Sequence, residues 1–385
     1  MTFPQKSSGV SHPHGVRRQS AAATALLDAG EAPSLGSLPK RCRAPLATAV
    51  HVVGTAISAA AWAVLLAALL SFCGLANIRA ADADPLSGKI FIHDPSTIVA
   101  DQGRFYVFGT LPGIRVLSSP DLIHWQSEQA VLNRPPAWAK TVAPGFDGYI
   151  WAPDVIHVGE IFYLYYSVSA WGKQTSAISL ITSPTLNPAA TNYAWTDRGI
   201  VIQSTNGSNF NTIDPSVMQD TDGKLWLAYG SYWKGIYLTE LNPATGLRAD
   251  TNVAPYHLAW NDSIEASCLM RHDQYYYLFV DWGQCCEGTN STYEVRLGRS
   301  QKITGPYLDK AGNDMAAGGG SLFLAREGRF FGPGHIGILQ ALGQEWISYH
   351  TYDANFKGRS RLYIRQLDWT SDGWPVAGRP IGAEK

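Results

Sequence analysis

Charge is scarce in this chain of 385 residues. Charged side chains make up 16%, and 30 Lys+Arg against 31 Asp+Glu leave a formal net charge of -1. With no basic stripe to displace counterions from phosphate, a nucleic-acid partner is excluded on electrostatic grounds. Cysteine is scarce as well. Of five Cys, Cys42 and Cys73 fall in an N-terminal leader, leaving Cys268, Cys285 and Cys286. An odd count cannot make a disulfide framework, so the fold must rest on its core. No pair has metal-site spacing, which argues against zinc. Beyond the leader no helical hydrophobic period competes with short apolar and aromatic runs. What is abundant is aromatic, with 13 Trp and 18 Tyr beside 37 Gly. Flat rings on pleated surface with Gly turns suit all-β packing. Ring faces also suit the apolar C–H faces of sugars, and composition alone does not separate the two readings.

Residues 1–83 form a separate segment. A mostly apolar run from Leu46 to Ala76 follows Lys40, Arg41 and Arg43, and small residues follow at Ala80, Ala81 and Ala83. Basic flank, apolar centre and small-residue exit describe a secretory signal, with cleavage expected between Ala80 and Asp84. The chain is therefore expected to be secreted or periplasmic. The run is also long enough to span a bilayer, so membrane attachment is the alternative if the leader is retained.

Residues 84–385 carry an internal repeat. Each copy opens on a polar residue and a short apolar strand, turns on Gly or Asp, and continues as an aromatic strand. The copies are HDPSTIVADQGRFYVFGT from His93, APDVIHVGEIFYLYYS from Ala152, IDPSVMQDTDGKLWLAYG from Ile213, IEASCLMRHDQYYYLFVD from Ile264 and GPGHIGILQALGQEWISYH from Gly332. Their opening residues are Asp94, Asp154, Asp214, Glu265 and His335, at intervals of 60, 60, 51 and 70 residues. Five hairpin units of about 60 residues predict an all-β fold, a five-bladed β-propeller filling residues 84–385. The five openings are then expected to converge at one end of the central channel. The loops after the second strands, at 109–114, 168–176, 230–235, 282–292 and 351–358, return to that face with Trp171, Trp233, Trp282, Tyr352 and Phe356.

Acids ringed below aromatics describe a carbohydrate cleft. Glycosidic hydrolysis needs one carboxylic acid to protonate the leaving oxygen, and with inversion a carboxylate to activate water on the opposite face. Crowded carboxyls separate those roles, because each charge raises its neighbour's pKa. Taken singly, Asp94 and Asp214 before Pro are ordinary turn residues and His335 an ordinary buried histidine. Recurrence at one structural position is what favours chemistry.

At this point the chain resembles glycoside hydrolase family 43, in particular its arabinan endo-1,5-α-L-arabinosidases. The resemblance is carried by His93-Asp94-Pro95-Ser96, Trp151-Ala152-Pro153-Asp154, LYYSVSAWGKQTSAISL from Leu164, Ile213-Asp214-Pro215-Ser216, YGSYWKGIYL from Tyr229, Ile264-Glu265-Ala266, CCEGTNSTYEVRLGRS from Cys285, GPGHIG from Gly332 and SYHTYDA from Ser348. It implies inverting cleavage of α-1,5-linked L-arabinan by acid/base catalysis. Asp94 is then the base, Glu265 the acid, and Asp214 the residue tuning Glu265. It implies a cation, often calcium, in the channel near His335. Expected substrate contacts are Trp151, Asp154, Trp171, Gln174, Ser176 and Trp233. The expected partner is plant cell-wall polysaccharide, arabinan in pectin side chains, met by a monomer. Exo-arabinanase, α-L-arabinofuranosidase and β-xylosidase use the same three carboxyls and remain alternatives, as does a silent carbohydrate-binding propeller. Where the family usually has Pro and an aromatic, Ser267-Cys268 follow Ala266, and Lys234 replaces a small or polar residue. The sequence leaves Cys285 and Cys286 open between a vicinal disulfide and two thiols.

Overall fold

The computed structural model describes residues 85–383, so the leader and its expected cleavage site lie outside the described residues. The chain forms five sheets in sequence order. Blade 1 contains β2 (Val99–Asp101), β3 (Arg104–Gly109), β5 (Arg115–Ser119) and β6 (His124–Ser127), with β1 (Ser87–Gly88) added in parallel beside β6. Blade 2 runs β7 (Tyr149–Val158), β8 (Ile161–Val168), β9 (Ser176–Ser183) and β10 (Thr196–Ser204), and β4 (Leu111–Pro112) pairs with β7 at its inner edge. Blade 3 is β11 (Ser216–Gln219), β12 (Leu225–Tyr229), β13 (Ile236–Leu241) and β14 (Tyr256–Ala259). Blade 4 is β15 (Ile264–His272), β16 (Tyr275–Trp282), β17 (Glu294–Ser300) and β18 (Ser321–Leu324). Blade 5 is β19 (Phe330–Ala341), β20 (Gln344–Asp353), β21 (Arg359–Trp369) and β22 (Pro375–Pro380). This is the five-bladed propeller the repeat predicts.

The aromatic second strands explain how the blades pack. Successive side chains on a strand face opposite sides of the sheet, and here both sides are covered. Tyr277 and Phe279 of β16 join the cluster with blade 5, which includes Ile347 and Tyr363. Leu278 and Val280, between and after them, join the cluster with blade 3, which includes Ala228 and Leu238. Equivalent clusters lie between blades 1 and 2, 2 and 3, and 5 and 1. Burying one large apolar side chain contributes about 2 kcal/mol. Five such interfaces supply the stability that a disulfide framework would supply in a smaller domain. The ring closes where Leu86, Ile90 and Ile92 pack on Leu362 and Ile364, and where the N–H of Leu362 donates to the Ile90 carbonyl.

Each blade enters on a residue in the left-handed region: Asp94 (φ 48°), Ala152 (φ 41°), Asp214 (φ 57°), Ala266 (φ 52°) and His335 (φ 56°). Such φ values are costly without glycine and persist only when the surroundings enforce them. Side chains supply that enforcement. The N–H of Ala152 donates to Thr110 Oγ1 at 2.8 Å, that of Asp214 to Ser167 Oγ at 3.1 Å and that of His335 to Asp281 Oδ2 at 2.6 Å. The Asp94 N–H reaches His350 Nδ1 at 3.2 Å, and Ala266 donates to Asp214 Oδ2 at 3.1 Å.

This pattern corrects the repeat alignment. In blade 2 the left-handed place belongs to Ala152, and Asp154 lies two residues further on, inside β7. In blade 4 it belongs to Ala266, with Glu265 one residue before it.

Candidate active site

Asp94 is held from several sides. Thr110 Oγ1 donates to its Oδ2 at 2.5 Å, and His93 Nδ1 lies 2.7 Å from its Oδ1. His335 Nδ1 and His350 Nδ1 stand 3.8 and 3.7 Å from the same oxygen. Burial alone would raise this carboxyl. The contact and hydrogen bond from His93, with His335 and His350 close by, outweigh burial and hold Asp94 well below the usual carboxylate range. Asp94 is therefore ionised, the state in which a carboxyl can accept a proton from water.

Glu265 has the opposite environment. Its Oε2 accepts from Ser231 Oγ at 2.8 Å, and its Oε1 accepts from the Tyr293 hydroxyl. Burial pushes its pKa up, the charge of Asp94 adds to this, and the two hydroxyls only partly offset it. Asp214 is pushed up by burial and by the charges of Glu265, Asp94 and Asp281. The three sequence-predicted acids thus converge closely enough to act on one another. Asp214 accepts the Ala266 N–H on one oxygen, and the hydroxyls around Glu265 can accept as well as donate, so each site accommodates either the neutral or the ionised form of its carboxyl.

The predicted binding residues divide. Trp171 is 59% exposed and Trp233 41% exposed, both on the channel face, and Trp151 meets Trp171 edge-on at 6.4 Å. Asp154 is not brought to the cleft surface. Its carboxylate accepts the N–H of Thr97 at 3.0 Å and of Val217 at 2.8 Å, tying blade 2 to blades 1 and 3. Burial moves its pKa up to about 6 against those bonds. Gln174 is buried and braces the 205–211 loop, donating to the carbonyls of Ser208 and Phe210. Ser176 is fully buried against Ser204 and Asn211. Among the expected rim aromatics Phe356 is exposed, Trp282 is half-buried, and Tyr352 is buried beneath the rim on His93. An open depression of about 380 Å³ is lined by Asn209, Lys234, Tyr237, His257 and Trp260, none of them one of the three acids. Lys234 adjoins Trp233 in sequence.

Several site residues were not singled out from sequence. Thr110, Ser231, Tyr293 and His350 each hold an acid or its backbone, and Asp281 holds the backbone N–H of His335. A signal existed, because Thr110, Asp281 and His350 end their repeat copies and Ser231 follows the end of another. Asp281 is the clearest case, a lone carboxyl in YYYLFVDW. Its Oδ1 is buried with no hydrogen-bond partner, and burial pushes its pKa well up. Cys285 and Cys286 form a vicinal disulfide beside this group, and Cys268 is a free thiol in the core.

The model of Glycosyl hydrolases family 43 matches residues 88–375. The chain belongs to this family. It is a glycoside hydrolase. The family match spans all five blades, so the acids above lie inside the matched region. Over 300 residues the chain is 40% identical to an extracellular exo-α-(1→5)-L-arabinofuranosidase of Cellvibrio japonicus, covering 74% of this chain and 86% of that one. It is 38% identical over 290 residues to an extracellular endo-α-(1→5)-L-arabinanase of Bacillus subtilis, covering 74% and 87%. Among solved structures, the α-L-arabinanase of Cellvibrio cellulosa complexed with arabinohexaose superposes with a TM-score of 0.71 at 39% identity, covering 75% of this chain and 96% of that one.

Proposed function

We propose that this hydrolase cleaves the α-1,5 bonds of L-arabinan with inversion, acting within the chain as well as near its ends. The observation that carries the reading is the contrast between two converging carboxyls, Asp94 held by Thr110 and His93 and Glu265 buried against the hydroxyls of Ser231 and Tyr293. Asp94 accepts a proton from the attacking water while Glu265 protonates the departing oxygen. Asp214 holds the residue after Glu265 and, by its charge, keeps the acid's proton on. Trp151, Trp171 and Trp233 offer ring faces to arabinose units. The exposure of Trp171 and Trp233 supports a groove open to a long chain. The arabinan-cleaving names of the relatives support the substrate, and their extracellular description supports secretion of this chain.

The channel also fits a hard cation such as calcium. The unpartnered Asp281 Oδ1 is the oxygen such an ion would satisfy, with the His335 imidazole nearby and water completing the shell. Bound there, it would supply positive charge at the channel centre. The ligand atoms of His93, Asp94 and His350 also lie within 4.8 Å of one another. A cation among them would compete with the base.

The test is incubation with linear arabinan, debranched arabinan and xylan, followed by product sizing. Early oligosaccharides of mixed length from linear arabinan support endo action. Release of short products from chain ends alone moves the reading to an exo-arabinanase, and cleavage of xylan alone overturns it.

A further inference from the structure

A line of close polar contacts runs from the disulfide turn to the base. The Cys286 N–H donates to the Tyr352 hydroxyl at 2.7 Å. That hydroxyl lies 2.7 Å from His93 Nε2, and His93 Nδ1 lies 2.7 Å from Asp94 Oδ1. The line has a polarity. A backbone N–H only donates and an ionised Asp94 only accepts, so a neutral His93 with its proton toward Asp94 receives the phenolic proton of Tyr352 at Nε2. An imidazole that accepts at Nε2 carries its proton at Nδ1, the nitrogen facing Asp94. His93 and Tyr352 are both buried, so neither trades these partners for water. Cys286 holds the donating turn with φ 71°, a left-handed value that ring closure to Cys285 helps to enforce. The sulfur of Cys286 also lies 3.7 Å from His93 Nε2.

We propose that Tyr352 and the Cys285–Cys286 turn are positioning elements for the base: they fix the tautomer and orientation of His93, which in turn aims Asp94 at the attacking water. The inference rests on the reading of Asp94 as base. Neither Tyr352 nor the disulfide touches the reacting atoms; Tyr352 also meets the His350 ring edge-on at 5.2 Å, a contact that Tyr352→Phe keeps, so that variant removes only the hydroxyl, and with it the hold on His93.

A double-mutant cycle on linear arabinan tests this. Wild-type cleavage is established first, and its absence would count against the proposed function rather than the relay. His93→Asn keeps a side-chain amide near the place of Nδ1 but deletes the nitrogen that meets Tyr352. Tyr352→Phe is expected to lower kcat about tenfold, the scale of a small misplacement of a reacting group, with KM changed by less than about twofold. Added to His93→Asn it is expected to cost nothing more, because the coupled pair is already broken. The paired Cys285→Ser and Cys286→Ser variant, which leaves Tyr352 intact, is expected to lower kcat in wild type and not in His93→Asn. Melting temperatures accompany each variant. Unchanged kcat in Tyr352→Phe, or a tenfold loss in both backgrounds, overturns the relay. Unchanged kcat in the paired serine variant removes the disulfide turn from it.

Discussion

Asp214 Oδ2 accepts the backbone N–H of Ala266 at 3.1 Å, so the carboxyl that opens blade 3 seats the residue next to Glu265. One side chain thereby sets both the place and the charge environment of the acid. Its replacement separates the two effects. Asp214→Asn keeps an accepting oxygen and removes the charge. The charge of Glu265 raises Asp214, and a Coulomb repulsion is mutual, so loss of the Asp214 charge is expected to lower the pKa of Glu265. Glu265 works protonated, and activity falls as pH rises through that pKa. The basic limb of the pH–rate profile is expected to move to lower pH, and an unmoved limb would refute the tuning role.

Glu265→Gln removes the proton donor and keeps its shape. Hydrolysis of arabinan is expected to fall about 10²- to 10⁴-fold. An aryl arabinoside with a good leaving group, where accepted, is spared in part. Asp94→Asn is expected to impair both substrates alike, since water must be activated in either case. Wild-type rates in both variants would dismiss the acid/base pair, and NMR of the first product with retained configuration would dismiss inversion.

Trp171→Ala and Trp233→Ala are expected to weaken arabinan cleavage about tenfold in kcat/KM, equal to about 1.4 kcal/mol, with melting temperature unchanged because both rings are exposed. Ser176→Ala is expected to do the reverse, since its hydroxyl is fully buried among Ser204, Asn211 and Thr212. Equal kinetic losses at all three would place Ser176 in the cleft after all.

Asp154→Ala leaves the N–H groups of Thr97 and Val217 buried without acceptors. The expected loss is about 3 kcal/mol of stability, read as a lower denaturant midpoint. A midpoint within about 0.5 kcal/mol of wild type would mean that water replaces the carboxylate.

Removal of a channel cation is expected to lower the melting temperature, because a ligand bound only by the native state stabilises it by about 2.7 kcal/mol at a hundredfold excess over Kd. Protein shown to carry the ion and then stripped by chelator, with no change in melting, would refute the site. Asp281→Asn should remove most of the chelator's effect.

The architecture was legible because its signal repeats. Five polar-opened hairpins with aromatic second strands define five blades, and the acids at their openings led to Asp94, Asp214 and Glu265. The reading slipped at Asp154 because it matched acid with acid. The backbone instead places Ala152 in the equivalent left-handed position, and a φ value leaves no mark when the residue is neither Gly nor Asn. Gln174 and Ser176 slipped for another reason. Gln174 sits in the loop before β9 and Ser176 opens that strand, but their partners Ser208, Ser204 and Asn211 lie 34, 28 and 35 residues away. Hydrogen bonds of that span follow from the fold and carry no local pattern. The vicinal disulfide was legible only as a pair of neighbours.

The hydrogen bonds that seat the blade entries also have a direction around the ring. Thr110 of blade 1 holds blade 2, Ser167 of blade 2 holds blade 3, Asp214 of blade 3 holds blade 4 and Asp281 of blade 4 holds blade 5. His350 of blade 5 returns to hold Asp94 of blade 1. Synthesis runs from the N-terminus, so the base is among the first site residues made and the last to be seated. A chain halted before His350 already carries Glu265, Asp214 and their partners, and Thr110 beside Asp94, but it lacks the acceptor of the Asp94 N–H. The order of the links makes the last blade the clasp of the whole ring.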